Sequence, residues 1–381
     1  MKNIITALGF FACSAVPLSA QDNESGISPA LSSLSGLLTP GSRTPVSPGP
    51  QLPQRIFNFP AAIKSFRPAS AACDALQNEP QNSALNLKCG RDLADGGDST
   101  GAIAYLENVL TLEAQNSRDK ALALHYLGRC YFVIGEYDKS RKAFSDSANM
   151  GVGEDFASGA RWYQNLLGYS DFYAPWSVLE SEHFVFHFQT PSVVQDQAHF
   201  IKTREAAYKD ITSFFNGVTL PHKINFFVWN SKESAMQNAG FSLGFAVPPL
   251  SVIHSNFNQT TGHEPAHIVS ANFNGFAGTS MFINEGIAVY LNQAGQNHLE
   301  ITRQFLKLHP EVEISVKAVW ANKTLPSEYY SLAGAFVTHL LEKGGKEKLL
   351  ALVRRQSYPE AVEIYGAELD RLITEFEAKL N

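Results

Sequence analysis

Two histidines, the glutamate that follows the first of them and a second glutamate downstream could perform chemistry together. His263 and His267 belong to the sequence HEPAH. Residues four apart lie on the same face of an α-helix, so both imidazoles can bind one metal ion. Glu264 lies next to the first histidine and can hold a water molecule in the same pocket. This pattern predicts a zinc site with a carboxylate base beside it.

Glu285 is the candidate for a further metal ligand. A zinc ion that performs chemistry has three protein ligands and one open position. Glu285 lies in FINEGIAVY, an otherwise apolar segment in which a buried carboxylate needs a partner. The polar, glycine-containing stretch at 272–278 is long enough for the chain to reverse. We therefore predict that a second helix brings Glu285 to the two histidines.

Pro265 restricts where the motif helix can begin. Proline lacks the amide N–H and is tolerated in the first turn, where the N–H groups have no intrahelical partner. Thr261 or Gly262 can provide the cap, so we expect the helix to begin at about Gly262. In the alternative interpretation Pro265 has made the site inactive, and the chain is a peptidase-like scaffold whose helical repeats, at residues 71–170, bind a protein or peptide partner.

HExxH followed by a helix of the form NEGxAxY resembles the gluzincin metallopeptidases, and more closely the peptidase MA-like domains and their aminopeptidase relatives. The resemblance covers residues 175–381, about half of the chain. It implies an α+β thermolysin-like core, in which a small sheet lobe precedes a helical lobe. It also implies a zinc metallopeptidase, with zinc bound by His263, His267 and Glu285 and with Glu264 as the general base.

Two tyrosines before an Ala-Gly pair resemble a second pattern of these domains. In the aminopeptidase relatives a tyrosine near this place stabilises the oxyanion. The resemblance assigns this role to Tyr330, with Tyr329 as the alternative; packing in the core is the other interpretation. Asn284, adjacent to the third ligand, is a candidate for orienting a ligand imidazole, or else a surface or capping amide. The sequence does not distinguish an endopeptidase from an aminopeptidase.

The start of the chain has the pattern of a secretory signal peptide at residues 1–20. Lys2 precedes an apolar stretch, and small residues up to Ala20 form a cleavage site. We therefore expect an exported protein, periplasmic or secreted. The residues before Cys13 form a poor lipoprotein box, which argues against a lipid anchor. Residues 21–70 are rich in Pro, Ser and Gly and predict a disordered linker.

Charge and cysteine content narrow the partners and the compartment. The net charge is −6 and the sequence pI is about 6.0, so no basic surface for nucleic acid is expected. After the N-terminus no apolar run is long enough to predict a transmembrane span. Export would permit a Cys73–Cys89 disulfide, and buried free thiols are an equally good interpretation.

Residues 71–170 contain two similar helical units that resemble tetratricopeptide repeats with a slightly long gap between them. Gly128 is predicted to let paired helices approach closely, and residues 155–168 are predicted to form a capping helix. The region is either a rigid spacer packed on the next domain or a surface that binds a peptide or protein partner.

Alternating apolar residues open the domain at 175–381. They predict strands at 182–188 and 223–229, and an edge strand at 244–254 whose free backbone groups can pair with an extended peptide. His183 and His187 are expected to be surface histidines. Helices are predicted at 192–216, 297–308, 328–343, 345–355 and 367–380.

Overall fold

The computed structural model describes residues 71–113, 117–240, 244–276 and 279–380. The predicted signal peptide, the lipoprotein box and the predicted linker lie outside these residues. The described chain is mostly helical and contains a small mixed sheet, which is compatible with the α+β class. No helix in these ranges is both long enough and apolar enough to cross a membrane.

The N-terminal part is built from two equivalent helical hairpins. A Cβ added at Gly90 would lie 2.6 Å from Leu106, and one added at Gly128 would lie 2.7 Å from Phe144. Gly128 follows Gly90 by 38 residues, and Phe144 follows Leu106 by the same 38. The prediction that Gly128 permits close helix packing is therefore confirmed. The helices of this part are α1 (Ala71–Ala75), α2 (Ser83–Asp95), α3 (Ser99–Leu112), α4 (Arg118–Val133), α5 (Tyr137–Asn149) and α6 (Glu154–Leu166).

A disulfide joins α1 to α2. Cys73 is bonded to Cys89 across a separation of 16 residues, whereas Cys130 is a buried free thiol. The expected pairing is confirmed, and the free-thiol interpretation holds for Cys130. Closing a loop of this size stabilises a fold by about 3 kcal/mol, mainly by constraining the unfolded chain.

The five-stranded sheet has parallel central strands and antiparallel edges. The two predicted strands at 182–188 and 223–229 are present, but the prediction of one edge strand at 244–254 is wrong. Pro248 and Pro249 interrupt that segment, because proline cannot continue the ladder. The segment forms a hairpin, with one strand at the edge and one inside. In the order β1-β2-β3-β5-β4, the strands are β1 (Ser177–Glu180), β2 (Phe184–Phe188), β3 (Ile224–Trp229), β4 (Phe245–Val247) and β5 (Val252–Asn256).

Helices follow and surround the sheet. The predicted helices at 192–216, 297–308, 328–343, 345–355 and 367–380 are all present. The short helices at Lys232–Ala239, Val316–Ala321 and Tyr358–Tyr365 were not predicted. The helices are α7 (Gln197–Phe214), α8 (Lys232–Ala239), α9 (His263–Phe273), α10 (Met281–Tyr290), α11 (His298–Leu308), α12 (Val316–Ala321), α13 (Tyr330–Gly344), α14 (Lys346–Arg354), α15 (Tyr358–Tyr365) and α16 (Glu368–Glu377).

The two faces of the sheet are covered by different parts of the chain. Phe226 and Ile253 pack with α7 and α9 in the large C-terminal core. Phe227 and Trp229 point to the other face, where they share a core with Tyr163 of α6 and other aromatic residues. Every residue of β3 is consequently buried. The helical hairpins and the sheet are therefore parts of one continuous structure.

Four aromatic rings stack in a row across the face that the hairpins cover. His187, Phe227, His254 and Phe245 come from β2, β3, β5 and β4, and their centroids are 4.2, 4.5 and 5.2 Å apart. Adjacent rings are within 10° of parallel. Cross-strand pairs of this kind are the units that stabilise a sheet.

The prediction that His183 and His187 are surface histidines is wrong, because both are partly buried. His187 belongs to the ring stack, and its Nε2 lies 2.9 Å from Asn225 Oδ1. The ring of His183 stacks on Tyr208, and its Nδ1 lies 2.7 Å from Glu205. The strand alternation predicted a polar face, but other parts of the fold cover that face.

His254 ties the sheet to α6. The indole Nε1–H of Trp229 donates to His254 Nδ1 at 3.0 Å, and His254 Nε2 donates to the Leu166 carbonyl at 2.8 Å. Only a neutral imidazole can accept a hydrogen bond at one ring nitrogen while it donates one from the other. Burial lowers the pKa of His254 to about 3, so the folded protein holds this side chain neutral.

Acid should therefore weaken the fold through His254. The unfolded chain binds a proton near pH 6.5 and the folded chain only near pH 3, so stability falls as the pH drops between these values. The expected slope is about 1.4 kcal/mol per pH unit. Denaturant unfolding should show His254→Phe less stable than wild type at pH 7.5, with the difference closing towards pH 4. Parallel curves would contradict this interpretation.

Candidate metal centre

The motif helix α9 begins at the residue that the proline permits. His263 is its first residue, Gly262 is the cap, and the Ala266 N–H donates to the Gly262 carbonyl at 2.9 Å. Pro265 is thus the third residue of the helix, where its missing N–H leaves no bond unmade. The expected start of the helix is confirmed, and the two histidines remain one turn apart.

Gly262 allows the start of α9 to meet the end of α10. A Cβ at this position would lie 2.2 Å from the Leu291 carbonyl oxygen. The Gly262 N–H also donates to the Asn292 carbonyl at 3.2 Å. A larger residue would separate the two helices, so this close approach fixes the distance between the histidines and the third predicted ligand.

The three predicted ligand atoms converge. The Nε2 atoms of His263 and His267 are 3.2 Å apart. Glu285 Oε2 lies 3.3 Å from His263 Nε2 and 3.6 Å from His267 Nε2. All three side chains are buried. Two imidazoles and a carboxylate in this arrangement could hold a metal ion.

The bonding of Glu285 fits a cation at the centre of this group. Glu285 is 1% exposed, yet its Oε2 makes no hydrogen bond within the described residues. A buried carboxylate oxygen without such a bond is costly unless a charge compensates it. Burial alone would raise the pKa of Glu285, but His267 and His263 lower it to about 2. The carboxylate is therefore ionised and directed at the two nitrogens.

Two glycines bring α10 against α13. A Cβ at Gly286 would lie 2.7 Å from the Ala333 carbonyl oxygen and from Val337. A Cβ at Gly334 would lie 2.3 Å from Val289. The residue that follows the third ligand therefore permits direct contact between these helices, which carries the start of α13 towards the histidines.

Tyr330, rather than Tyr329, lies beside the group formed by His263, His267 and Glu285. Tyr330 is buried, and its ring lies nearly parallel to that of His263 with the centroids 6.4 Å apart. Tyr329 is half-buried, and its ring packs against Phe305 at 6.1 Å. Of the two tyrosines that the sequence left open, only Tyr330 has this position.

Glu264 is buried beside the ligands. Burial raises its pKa, and the charge of Glu285 acts in the same direction, while His263 and His267 oppose it. A carboxylate with a raised pKa takes up a proton more readily, which is the property that a general base needs.

Asn284 contacts the far nitrogen of one ligand. Its amide Nδ2 lies 3.2 Å from His267 Nδ1, so Asn284 is placed where it could orient this imidazole, as the sequence analysis expects. When Nε2 is the ligand atom, Nδ1 carries the proton, and a half-turn of the amide places its oxygen to accept it. Such partners orient the ring and fix the tautomer.

His298 was missed by the sequence analysis. It opens α11, is partly buried, and its Nδ1 lies 3.3 Å from Ser331 Oγ. Burial lowers its pKa, and the charge of His263 lowers it further. No motif marks this histidine, because only the tertiary fold brings α11 to α13.

A second group of metal-ligating types lies between β2 and α7. It consists of Glu182, His183 and Glu205. Glu205 accepts from the His183 backbone N–H at 2.9 Å and also contacts its Nδ1, while Lys209 pairs with Glu182 at 3.3 Å. In this second group a backbone N–H and a lysine also bind the carboxylates, whereas the groups within ion-pair distance of Glu285 Oε2 are, among the described residues, the two imidazoles.

Comparison with family models finds none that matches this chain, and the sequence likewise matches none of the curated proteins.

The two His/Glu groups provide a matched test of metal binding. We expect wild-type protein to bind one Zn²⁺ and Glu285→Gln or His263→Ala to lose it, because each removes a ligand. Glu205→Gln should keep the ion. Elemental analysis after dialysis, with a chelator competition for affinity, measures both. Loss of zinc from Glu205→Gln alone would place the ion at the other group.

Asn284 offers a test of ligand orientation. Asn284→Ala should weaken zinc binding by about 10- to 100-fold, because His267 loses the partner that holds its ring. Asn284→Asp retains an acceptor for the Nδ1 proton and should bind at least as tightly as wild type. Equal affinities for Asn284→Ala and wild type would show that the amide does not orient the ligand.

Proposed function

We propose that this chain is a zinc-dependent peptidase of the gluzincin type. The observation that carries the proposal is the convergence of His263, His267 and Glu285. Tetrahedral zinc with ligands at about 2.0–2.1 Å requires ligand atoms about 3.3–3.4 Å apart. The three separations here, 3.2, 3.3 and 3.6 Å, agree with that requirement.

The order of elements supports a thermolysin-like core for residues 175–381. A small sheet precedes the histidine helix α9, and a helical part with the Glu285 helix follows it. The two hairpins before residue 170 support the tetratricopeptide-like interpretation, although their spacing of 38 residues exceeds the usual 34 or so.

In the proposed mechanism the chain's own residues move the protons. A zinc ion held here would polarise the scissile carbonyl and make water more acidic. Glu264 accepts the proton of the attacking water and returns it to the leaving amine, a double role that its raised pKa favours. The Tyr330 hydroxyl donates a hydrogen bond to the oxyanion. Asn284 holds the His267 ring in place.

Substrate binding in this proposal uses the sheet edge. β4 is the outer strand of the sheet, and Ala246 packs into the same core as α9. In this proposal an extended peptide pairs with β4, the outermost strand of the sheet within the described residues. This supports an extended peptide segment as the substrate.

The disulfide and the N-terminal sequence support the proposed export. A Cys73–Cys89 bond forms and persists where thiols are oxidised. Together with the signal-like residues 1–20, this supports a protein exported to the periplasm or the outside of the cell.

The inactive-scaffold alternative rests on Pro265. That alternative expects the helix to break or the third ligand to lie apart from the imidazoles. The placement of Pro265 in the first turn and the 3.3 Å approach of Glu285 to His263 favour the enzyme instead.

The proposal requires Glu264 for chemistry but not for metal binding. Glu264→Gln should keep one zinc ion and lose peptide cleavage by at least 100-fold, in line with the usual contribution of a general base. A peptide library with mass-spectrometric detection of cut sites measures the activity. A zinc-loaded wild-type protein that cuts nothing would reject the peptidase assignment.

The neighbouring tyrosines supply a matched pair for the oxyanion role. Tyr330→Phe should lower kcat by about 10²- to 10³-fold with little change in KM, as expected when one oxyanion donor is lost. Tyr329→Phe removes the hydroxyl from the ring that packs against Phe305 and should leave kcat unchanged. Equal effects of the two substitutions would exclude Tyr330 as the donor.

A further inference from the structure

The turn of the first helical hairpin touches the loop that follows the histidine helix. Gly97 lies between α2 and α3, and Phe276 lies three residues beyond α9. A Cβ added at Gly97 would lie 2.7 and 3.0 Å from two ring carbons of Phe276. The ring therefore rests directly on the glycine backbone, where no other residue would leave it room.

Phe276 has a backbone conformation that needs support. Its φ is +56°, in the left-handed region that side chains other than glycine rarely adopt. Its N–H donates to the Ala271 carbonyl at 2.8 Å, which closes the C-terminus of α9. Strained residues of this kind persist where the surrounding structure holds them. The contact with Gly97 is such a restraint.

The Gly97 turn is itself fixed to the second hairpin. Asp95, at the end of α2, pairs with Arg129 of α4 at 3.0 Å and accepts from the Tyr126 hydroxyl at 3.3 Å. The Arg129 guanidinium also lies over the Tyr126 ring. One turn further along, Phe132 of the same helix packs in the core that covers the sheet. The turn is thus joined to the sheet through α4.

The loop held at Phe276 leads into the helix that carries the third ligand. α10 begins at Met281, and Glu285 is its fifth residue. Metal ligands must keep their places to within about 0.5 Å. A displacement of the loop would therefore change the separation between Glu285 and the two histidines.

We propose that the Gly97 turn is a buttress for the metal centre and that Phe276 is a positioning residue. The helical hairpins are then an integral part of the metal site, and their contact with the loop sets its affinity for zinc. This inference rests on the proposed metal site.

The chain offers a matched control for this buttress. Gly135 is the equivalent glycine of the second hairpin, 38 residues after Gly97. The φ angles are +86° and +82°, so alanine is strained at both positions. A Cβ at Gly135 would meet nothing within 4 Å. The two substitutions therefore cause similar backbone strain, but only Gly97→Ala places a methyl group against the ring of Phe276.

The experiment measures zinc affinity of the full chain by chelator competition. Gly97→Ala should raise the Kd on the order of tenfold, a size typical of coupling between separate sites. Gly135→Ala should change it less than about twofold. Phe276→Ala alone should weaken binding by a smaller factor, because it removes the support without a clash. In the Phe276→Ala background, Gly97→Ala should raise the Kd for zinc by no larger a factor than Gly135→Ala does.

The thermal midpoint of the metal-free protein provides a second readout. The effects of Gly97→Ala and Phe276→Ala on this midpoint should be non-additive, because both substitutions act on the contact between these two residues. If wild type binds zinc but Gly97→Ala and Gly135→Ala have equal Kd values, the buttress is rejected and the metal centre stands. If wild type binds no zinc, the proposed function fails and this inference fails with it. Additive effects in the double variant also reject the buttress.

Discussion

A carboxylate buried among apolar residues needs compensating groups close to it, and this need constrains the arrangement of the helices around it. Glu285 is almost inaccessible, and the other described side chains of its helix are largely apolar. Removing such a group from water without compensation costs several kcal/mol. Its compensation comes from the imidazole nitrogens of His263 and His267 and, in our proposal, from a divalent cation between them. The fold must therefore bring α9 and α10 close enough for the two imidazoles to reach the carboxylate.

Close helix contact achieves this, and small residues permit it. Gly262 lets the start of α9 lie against the end of α10, while Gly286 and Gly334 let α10 and α13 touch. Each contact sets one side of the site: the histidines, the third ligand and Tyr330. The same principle extends to Gly97, where the hairpin turn meets the loop after α9. In our proposal the positions of the metal ligands thus depend on backbone packing as much as on the ligand side chains themselves.

The parts of the site that follow from helix geometry could be predicted from the sequence. The spacing of His263 and His267 requires a shared face, and the place of Pro265 follows from the unpaired N–H groups of a first turn. The contact of Asn284 with a ligand could be predicted for a related reason, since Asn284 precedes the third proposed ligand on the same helix. The choice between Tyr330 and Tyr329 was not, because it depends on how α13 is rotated against its neighbours.

Long-range packing explains what the sequence analysis missed or misjudged. The alternation of β2 predicted a polar face with His187 at the surface, but helices distant in the sequence cover that face. The contacts of His254 with Leu166 and of Phe276 with Gly97 also join remote segments, and no local pattern marks them. The gluzincin and tetratricopeptide-like assignments remain proposals that the geometry supports.

The central claim is that three side chains from α9 and α10 bind a single ion. Crystals of zinc-loaded protein, measured on both sides of the zinc absorption edge, test it most directly. Our account predicts one strong anomalous peak about 2.0–2.2 Å from His263 Nε2, His267 Nε2 and a Glu285 oxygen. A peak elsewhere, or none at this site despite bound zinc, would contradict it.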